Sequence, residues 1–289
     1  MIIVEVFNVI LGFMRSVESS IASEARRFIK KDPSKLPLVA GLYAASIAAP
    51  GSGRLTRATY FFIRHLDDVL DGEMRPSYVS DEATNNPIDY ARDLQQQILG
   101  NAHFDTTPIA NMGRYAVTGL QKRARPNEDP RLLLSGIIEG MIFDNERRMQ
   151  RKISSRDELM GYYALFNDFM DVTLMGLGEH ERTSSFPMFG PSQGRLYSVR
   201  DIRKDWALGI INIPSDVINE SDVSPITPID DVTSDHSVQS WMKTEIQEGT
   251  QGMRETLDIL DTLPDARPTK MMVRGLAKGA MKHLPQIAA

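Results

Sequence analysis

Two short stretches of the chain place carboxylates where they could act together. In the first, Arg64-His65-Leu66-Asp67-Asp68-Val69-Leu70-Asp71-Gly72-Glu73, the residues Tyr60, Arg64, Asp67 and Asp71 recur at i, i+4, i+7 and i+11, the spacing of one helix face. Leu55, Phe62, Leu66 and Val69 fall on another face and form an apolar stripe. Ionised carboxylates roughly 5 Å apart repel by about 3 kcal/mol at an effective dielectric near 20, so the acidic face needs positive charge. Either a bound cation supplies it or arginines do.

The second stretch, residues 195–209, repeats the arrangement. Leu196, Val199, Ile202 and Trp206 make a stripe, and Ser198, Asp201 and Asp205 occupy another face. Taken alone, each motif reads as a solvated helix face whose carboxylates pair with basic neighbours. Together they allow more. Mg²⁺ favours oxygen ligands and shares carboxylates with substrate phosphates, so two facing Asp-rich helices could clamp a diphosphate.

The pattern Tyr60-x-x-x-Arg64-x-x-Asp67-Asp68-x-x-Asp71, followed by Arg200-Asp201-x-x-x-Asp205 and Gly209-x-x-x-x-Pro214, resembles the squalene/phytoene synthase family of head-to-head prenyltransferases. Pro50 and Arg54 sit where that family carries its Leu-Pro-x-x-x-Arg segment, Gly140-Met141-x-x-Asp144 resembles its Gly-Met-x-x-Asp helix, and Glu158-Leu159-x-x-Tyr162-Tyr163 resembles the start of its next helix. The resemblance implies an all-α fold, a class I isoprenoid synthase helical bundle with residues 1–289 as one domain around a central apolar cavity. It implies Asp67, Asp68, Asp71, Asp201 and Asp205 as Mg²⁺ carboxylates, and Arg54, Arg64 and Arg200 as diphosphate partners. Tyr60, Phe166, Phe169 and Trp206 become candidates for flanking a carbocation, because aromatic faces attract positive charge; ordinary packing is the plainer account of most of them.

The chain also departs from the family pattern. Tyr197 and Lys204 stand at the places of an Asn and a Glu in the second motif, and Gly209-Ile210-Ile211-Asn212-Ile213-Pro214 lacks a phosphate-directed arginine and a tyrosine. A small-residue stretch is replaced by Phe166-Asn167-Asp168-Phe169-Met170-Asp171. Three readings therefore stand: head-to-head coupling of two prenyl diphosphates, cyclisation of a single prenyl diphosphate by a related class I terpene synthase, and a non-catalytic relative acting as an assembly factor. A prenyl diphosphate is the partner implied by the first two. Oligomeric state is not legible.

Composition bounds these readings. With 289 residues, 42% hydrophobic and 25% charged, the chain can fill one large core or two small ones. A net charge of -5 with scattered basic residues argues against a nucleic-acid surface. No cysteine occurs, which excludes disulfides, thiolate metal sites and a cysteine nucleophile, and fits a cytoplasmic setting. Met1 to Met14 is apolar but interrupted by Glu5 and Asn8, without a basic start. It reads as a first helix rather than a signal peptide or a membrane span, with peripheral membrane contact left open.

Positioning these residues falls to helices. Periodicity predicts them over residues 17–30, 38–48, 54–73, 88–99, 106–123, 130–151, 155–178, 190–208, 237–261 and 268–284. Turn formers predict a break at 49–53 and loops at 75–88 and 215–236, the latter able to cover a site. Asp144 reads as an arginine partner or as the polar end of a cavity. Asn167, Asp168 and Asp171, set among aromatic and methionine residues, would be expensive to bury unpaired and read as the polar mouth of a site or as facing solvent.

Overall fold

The computed structural model describes residues 2–36, 39–43, 50–72, 85–263, 267–282 and 284, and no strand occurs among them. The fold is all-α. Its helices are α1 (Ile2–Lys31), α2 (Pro50–Leu70), α3 (Pro87–Leu99), α4 (Pro108–Gln121), α5 (Pro130–Gln150) and α6 (Arg156–Leu177). They continue as α7 (Phe189–Arg200), α8 (Ile202–Leu208), α9 (Ser215–Asn219), α10 (Ile229–Ser234), α11 (His236–Thr262) and α12 (Arg267–Ala280). Two compact units result, Met1–Met141 with Val172–His180, and Ile142–Asp171 with Glu181–Ala289. Helices α5 and α6 each contribute residues to both.

Local chemistry sets the helix limits. Pro50 begins α2, so the predicted turn at 49–53 is from Pro50 onward the first turn of that helix; proline is preorganised there and its missing N–H costs nothing. Gly72, at φ 66°, ends the turn after α2. Thr107 caps α4 by accepting from the Ala110 N–H, and Asp235 caps α11 by accepting from Ser237 and Val238. The predicted helix 190–208 is interrupted at Asp201, whose φ of -98° and ψ of 6° separate α7 from α8. The predicted loop 215–236 contains α9 and α10. Of the predicted helix 38–48, residues 39–43 are helical; residues 44–49, Glu73 and most of the predicted loop at 75–88 lie outside the described residues.

In the first unit the predicted stripe is buried. Leu55, Phe62, Leu66 and Val69 are all 3% exposed or less. α4 approaches this face through glycines: a Cβ on Gly113 would stand 2.9 Å from the Phe62 ring, and one on Gly119 would stand 2.6 Å from Leu55. In the second unit Val199, Ile202 and Trp206 pack with Ile211, Ile213, Val238 and Trp241. Here too α7 is gripped through small residues, since a Cβ on Gly249 of α11 would meet Leu196 at 2.8 Å. No described helix is long and apolar enough to cross a membrane.

Candidate functional site

The first motif occupies the last turns of α2. Asp68 is fully buried, and its charge is met by Lys31 Nζ at 2.8 Å and Arg64 Nη2 at 2.9 Å, both on Oδ1, and by Arg27 Nη2 at 3.4 Å on Oδ2. Arg64 reaches Asp67 with its other terminal nitrogen. Asp67 and Asp71 are only half-buried. The sequence asked for a cation or arginines on the face of Asp67 and Asp71; Arg64 stands on Asp67 there, while Arg27 and Lys31 of α1 meet the neighbouring Asp68.

Earlier along α2, Glu18 of α1 receives Arg54 Nε at 3.0 Å and Arg57 Nη2 at 2.6 Å. Arg57 is buried and lies over the Tyr43 ring at 4.3 Å. Tyr60 meets Phe28 and Phe61 edge-on at 6.1 and 5.2 Å, in ordinary aromatic packing geometry. His65 is buried between Glu24 and the Tyr90 hydroxyl, and burial lowers its pKa, leaving it neutral.

The second motif brackets the break between α7 and α8. Arg200 grips Asp201 in a fork, Nε to Oδ1 at 2.9 Å and Nη2 to Oδ2 at 2.6 Å, while lying over the Tyr197 ring at 3.9 Å. Tyr197, at the place of the family's Asn, therefore supports Arg200. Asp205 accepts from Asn212 Nδ2 at 2.9 Å. Its pKa is raised to about 7 by burial and by the negative charges of Asp201 and Asp144. Lys204, at the place of the family's Glu, is exposed.

Of the two roles the sequence left open for Asp144, the arginine pairing is the one observed. Asp144 pairs with Arg147, accepts from the Tyr162 hydroxyl, and contributes to the field on Asp205. Arg147 was not singled out by sequence. It is 1% exposed and donates to the Ile211 carbonyl and to Asn212 Oδ1, each at 3.1 Å. The signal was an arginine one helical turn past Asp144 and a lone asparagine in the run Ile210-Ile211-Asn212-Ile213.

Phe166 touches Tyr162 and Tyr197 edge-on, at 6.1 Å to each ring, and Phe169 is half-buried. Their polar neighbours serve the chain. Asn167 donates to the Pro187 carbonyl and accepts from the Gly190 N–H, and Asp171 accepts from the Thr183 N–H and hydroxyl. Asp168 is half-buried, with its pKa raised to about 6 by burial and by Asp171.

Among the described residues no group of three or more His, Cys, Asp or Glu is disposed to hold a divalent cation alone. Mg²⁺ is commonly held by one or two carboxylates, with water and substrate oxygens completing the shell. Asp205 fits that use: burial and then the neighbouring negative charges keep its proton on near neutrality, and a cation there would replace it.

A family model described as squalene/phytoene synthase matches residues 42–288, nearly the whole chain. No curated protein matches.

Proposed function

The chain belongs to the squalene/phytoene synthase family, and we propose that it is a Mg²⁺-dependent prenyltransferase that condenses two prenyl diphosphates head-to-head with loss of diphosphate. The observation that carries the metal dependence is Asp205, a half-buried carboxylate oriented by Asn212 beside Asp201 and Asp144, its pKa raised to about 7 first by burial and then by those two negative charges. Such a group gains most from a cation.

In this reading Asp67 and Asp71 of the first motif and Asp201 and Asp205 of the second would hold Mg²⁺, with Asp68 the fifth carboxylate of the pattern. Bound Mg²⁺ would neutralise charge on the diphosphate oxygens. The arginines act on the same group. Arg64 and Arg200, now on Asp67 and Asp201, exchange a carboxylate for a diphosphate oxygen, and Arg54 does so from Glu18. The allylic C–O bond breaks with its electron pair leaving on diphosphate. As aromatic candidates, Phe166 and Phe169 in the second unit and Tyr60 in the first would each offer a ring to a cation and exclude water.

Cyclisation of one prenyl diphosphate is the second reading. It is favoured by the segment after α8, where Ile210 stands at the place of the family's arginine and Asn212 at the place of its tyrosine. Fewer cationic partners then remain for a second diphosphate.

The test is incubation with Mg²⁺ and, separately, geranyl, farnesyl and geranylgeranyl diphosphates, reading diphosphate release and product mass. A hydrocarbon of doubled carbon number supports condensation. Unchanged carbon number supports cyclisation, and neither release nor product from folded protein supports a non-catalytic relative.

A further inference from the structure

Helix α1 ends at Lys31, ahead of residue 42, where the family match begins. It nevertheless supplies charged partners to α2 along much of that helix. Glu18 takes Arg54 and Arg57, Glu24 faces His65, and Arg27 and Lys31 take Asp68. Between these pairs Phe28 packs edge-on against Tyr60 and Phe61, at 6.1 and 6.3 Å. The arrangement is not a surface decoration, since Asp68 and His65 are both 0% exposed and Glu24 is 3% exposed.

One geometric detail gives α1 a role in the motif itself. Lys31 Nζ and Arg64 Nη2 sit on the same oxygen of Asp68, Oδ1, at 2.8 and 2.9 Å. The other terminal nitrogen of Arg64 is on Asp67. Arg64 is thus divided between a buried carboxylate that it shares with Lys31 and a half-buried one beside it. How strongly Asp68 draws Arg64 inward depends on how far Lys31 and Arg27 have already neutralised it, because an unpaired buried carboxylate is costly.

We propose that Lys31 is a positioning residue of the first aspartate motif: by neutralising Asp68 from α1, it leaves Arg64 available at Asp67. Without Lys31, Arg64 is drawn onto Asp68. Asp67 then loses its guanidinium and becomes the more available carboxylate, while Arg64 becomes the less available anion partner. Loss of Asp68 does the reverse. This inference deepens the functional reading above and rests on it for the ligands that Arg64 and Asp67 take.

The experiment compares Lys31→Met, Lys31→Arg, Asp68→Asn and Lys31→Met/Asp68→Asn in the full chain. Mn²⁺ affinity is measured by electron paramagnetic resonance without diphosphate, and inorganic diphosphate affinity by calorimetry without metal. Lys31→Met is expected to tighten Mn²⁺ and weaken diphosphate, each by about three- to tenfold, the range of one rearranged charge-assisted contact. Asp68→Asn is expected to shift both in the opposite sense, Lys31→Arg to restore wild-type values, and the double variant to follow Asp68→Asn.

A purely structural role for Lys31 weakens both ligands together or moves neither, and either result overturns the proposal. Urea unfolding of the same set keeps the question decidable if wild type binds neither ligand. In that case the metal-dependent reading fails, and the electrostatic link is judged by whether the two single losses are less than additive in the double variant, as residues in one network must be. Additive losses overturn it.

Discussion

Arg147 donates from both terminal nitrogens to a single atom, Asn212 Oδ1, at 3.1 Å each. The amide nitrogen of Asn212 is then turned to Asp205 at 2.9 Å. A buried guanidinium on α5 thereby fixes the orientation of an asparagine on a loop, which fixes a carboxylate on α8. The same guanidinium pairs with Asp144 and lies over the Phe143 and Tyr162 rings at 4.8 and 5.3 Å.

Replacing Arg147 by Met leaves Asp144, the Ile211 carbonyl and Asn212 without their common partner. Loss of about 3 kcal/mol in urea unfolding is expected, the usual cost of breaking a buried charged network on one side. Arg147→Lys keeps the charge but cannot fork. It should recover less than half of that loss, and full recovery would show that charge alone matters there.

How much of this was legible in the sequence depended on range. The stripes of both motif helices were readable because burial repeats with the helical period, and Leu66 and Trp206 lie where that period puts them. The break at Asp201 was not, because neither glycine nor proline marks it. Glu18 and Lys31 could not be assigned either: their partners Arg54 and Asp68 lie far along the chain, and charge pairing between helices leaves no periodic trace. Asn167 and Asp171 were rightly singled out as expensive to bury unpaired, but their partners, Gly190 N–H and Thr183, are set by a loop path no spacing encodes.

The close approach of α6 and α7 within the second unit gives a steric prediction. A Cβ on Gly194 would lie 2.3 Å from the Tyr163 ring, and Tyr163 is 4% exposed with little room to move. Gly194→Ala gains helix propensity yet should destabilise by about 1–3 kcal/mol, because overpacking a filled core outweighs propensity. Thermal or urea unfolding decides it. An unchanged or raised midpoint would mean that Tyr163 has an alternative rotamer available.

Asp168 predicts a pH dependence. Its folded pKa is raised from 3.8 to about 6 by burial and by Asp171. Between those two values the folded state holds a proton that the unfolded state has released, so this group's contribution to stability falls as pH rises through that window and levels off above it. Asp168→Asn removes that slope and should make the protein relatively more stable above the window than below it. Urea midpoints of wild type and variant across the range give the test; parallel curves would place the Asp168 carboxylate in water.

Glu18 gives a prediction in which stability and binding separate. Its side chain is 37% exposed and its partner Arg54 is 32% exposed, so the pair is screened and contributes at most about 1 kcal/mol to folding. Glu18→Gln also leaves the buried Arg57 a neutral acceptor in place of a carboxylate, so the urea midpoint should fall by more than the Arg54 pair alone accounts for. The same carboxylate competes with any anion for Arg54, and its loss should tighten inorganic diphosphate binding by about three- to fivefold, with a weaker effect at high salt because the attraction is screened. Arg57 is the internal control. It is buried at 5% exposure over Tyr43 and stays in place when Glu18 is neutral, so Arg54→Ala in the Glu18→Gln background should abolish the gain. A gain that survives Arg54→Ala would move the anion site away from the start of α2, and no gain at all would remove Arg54 from the diphosphate partners.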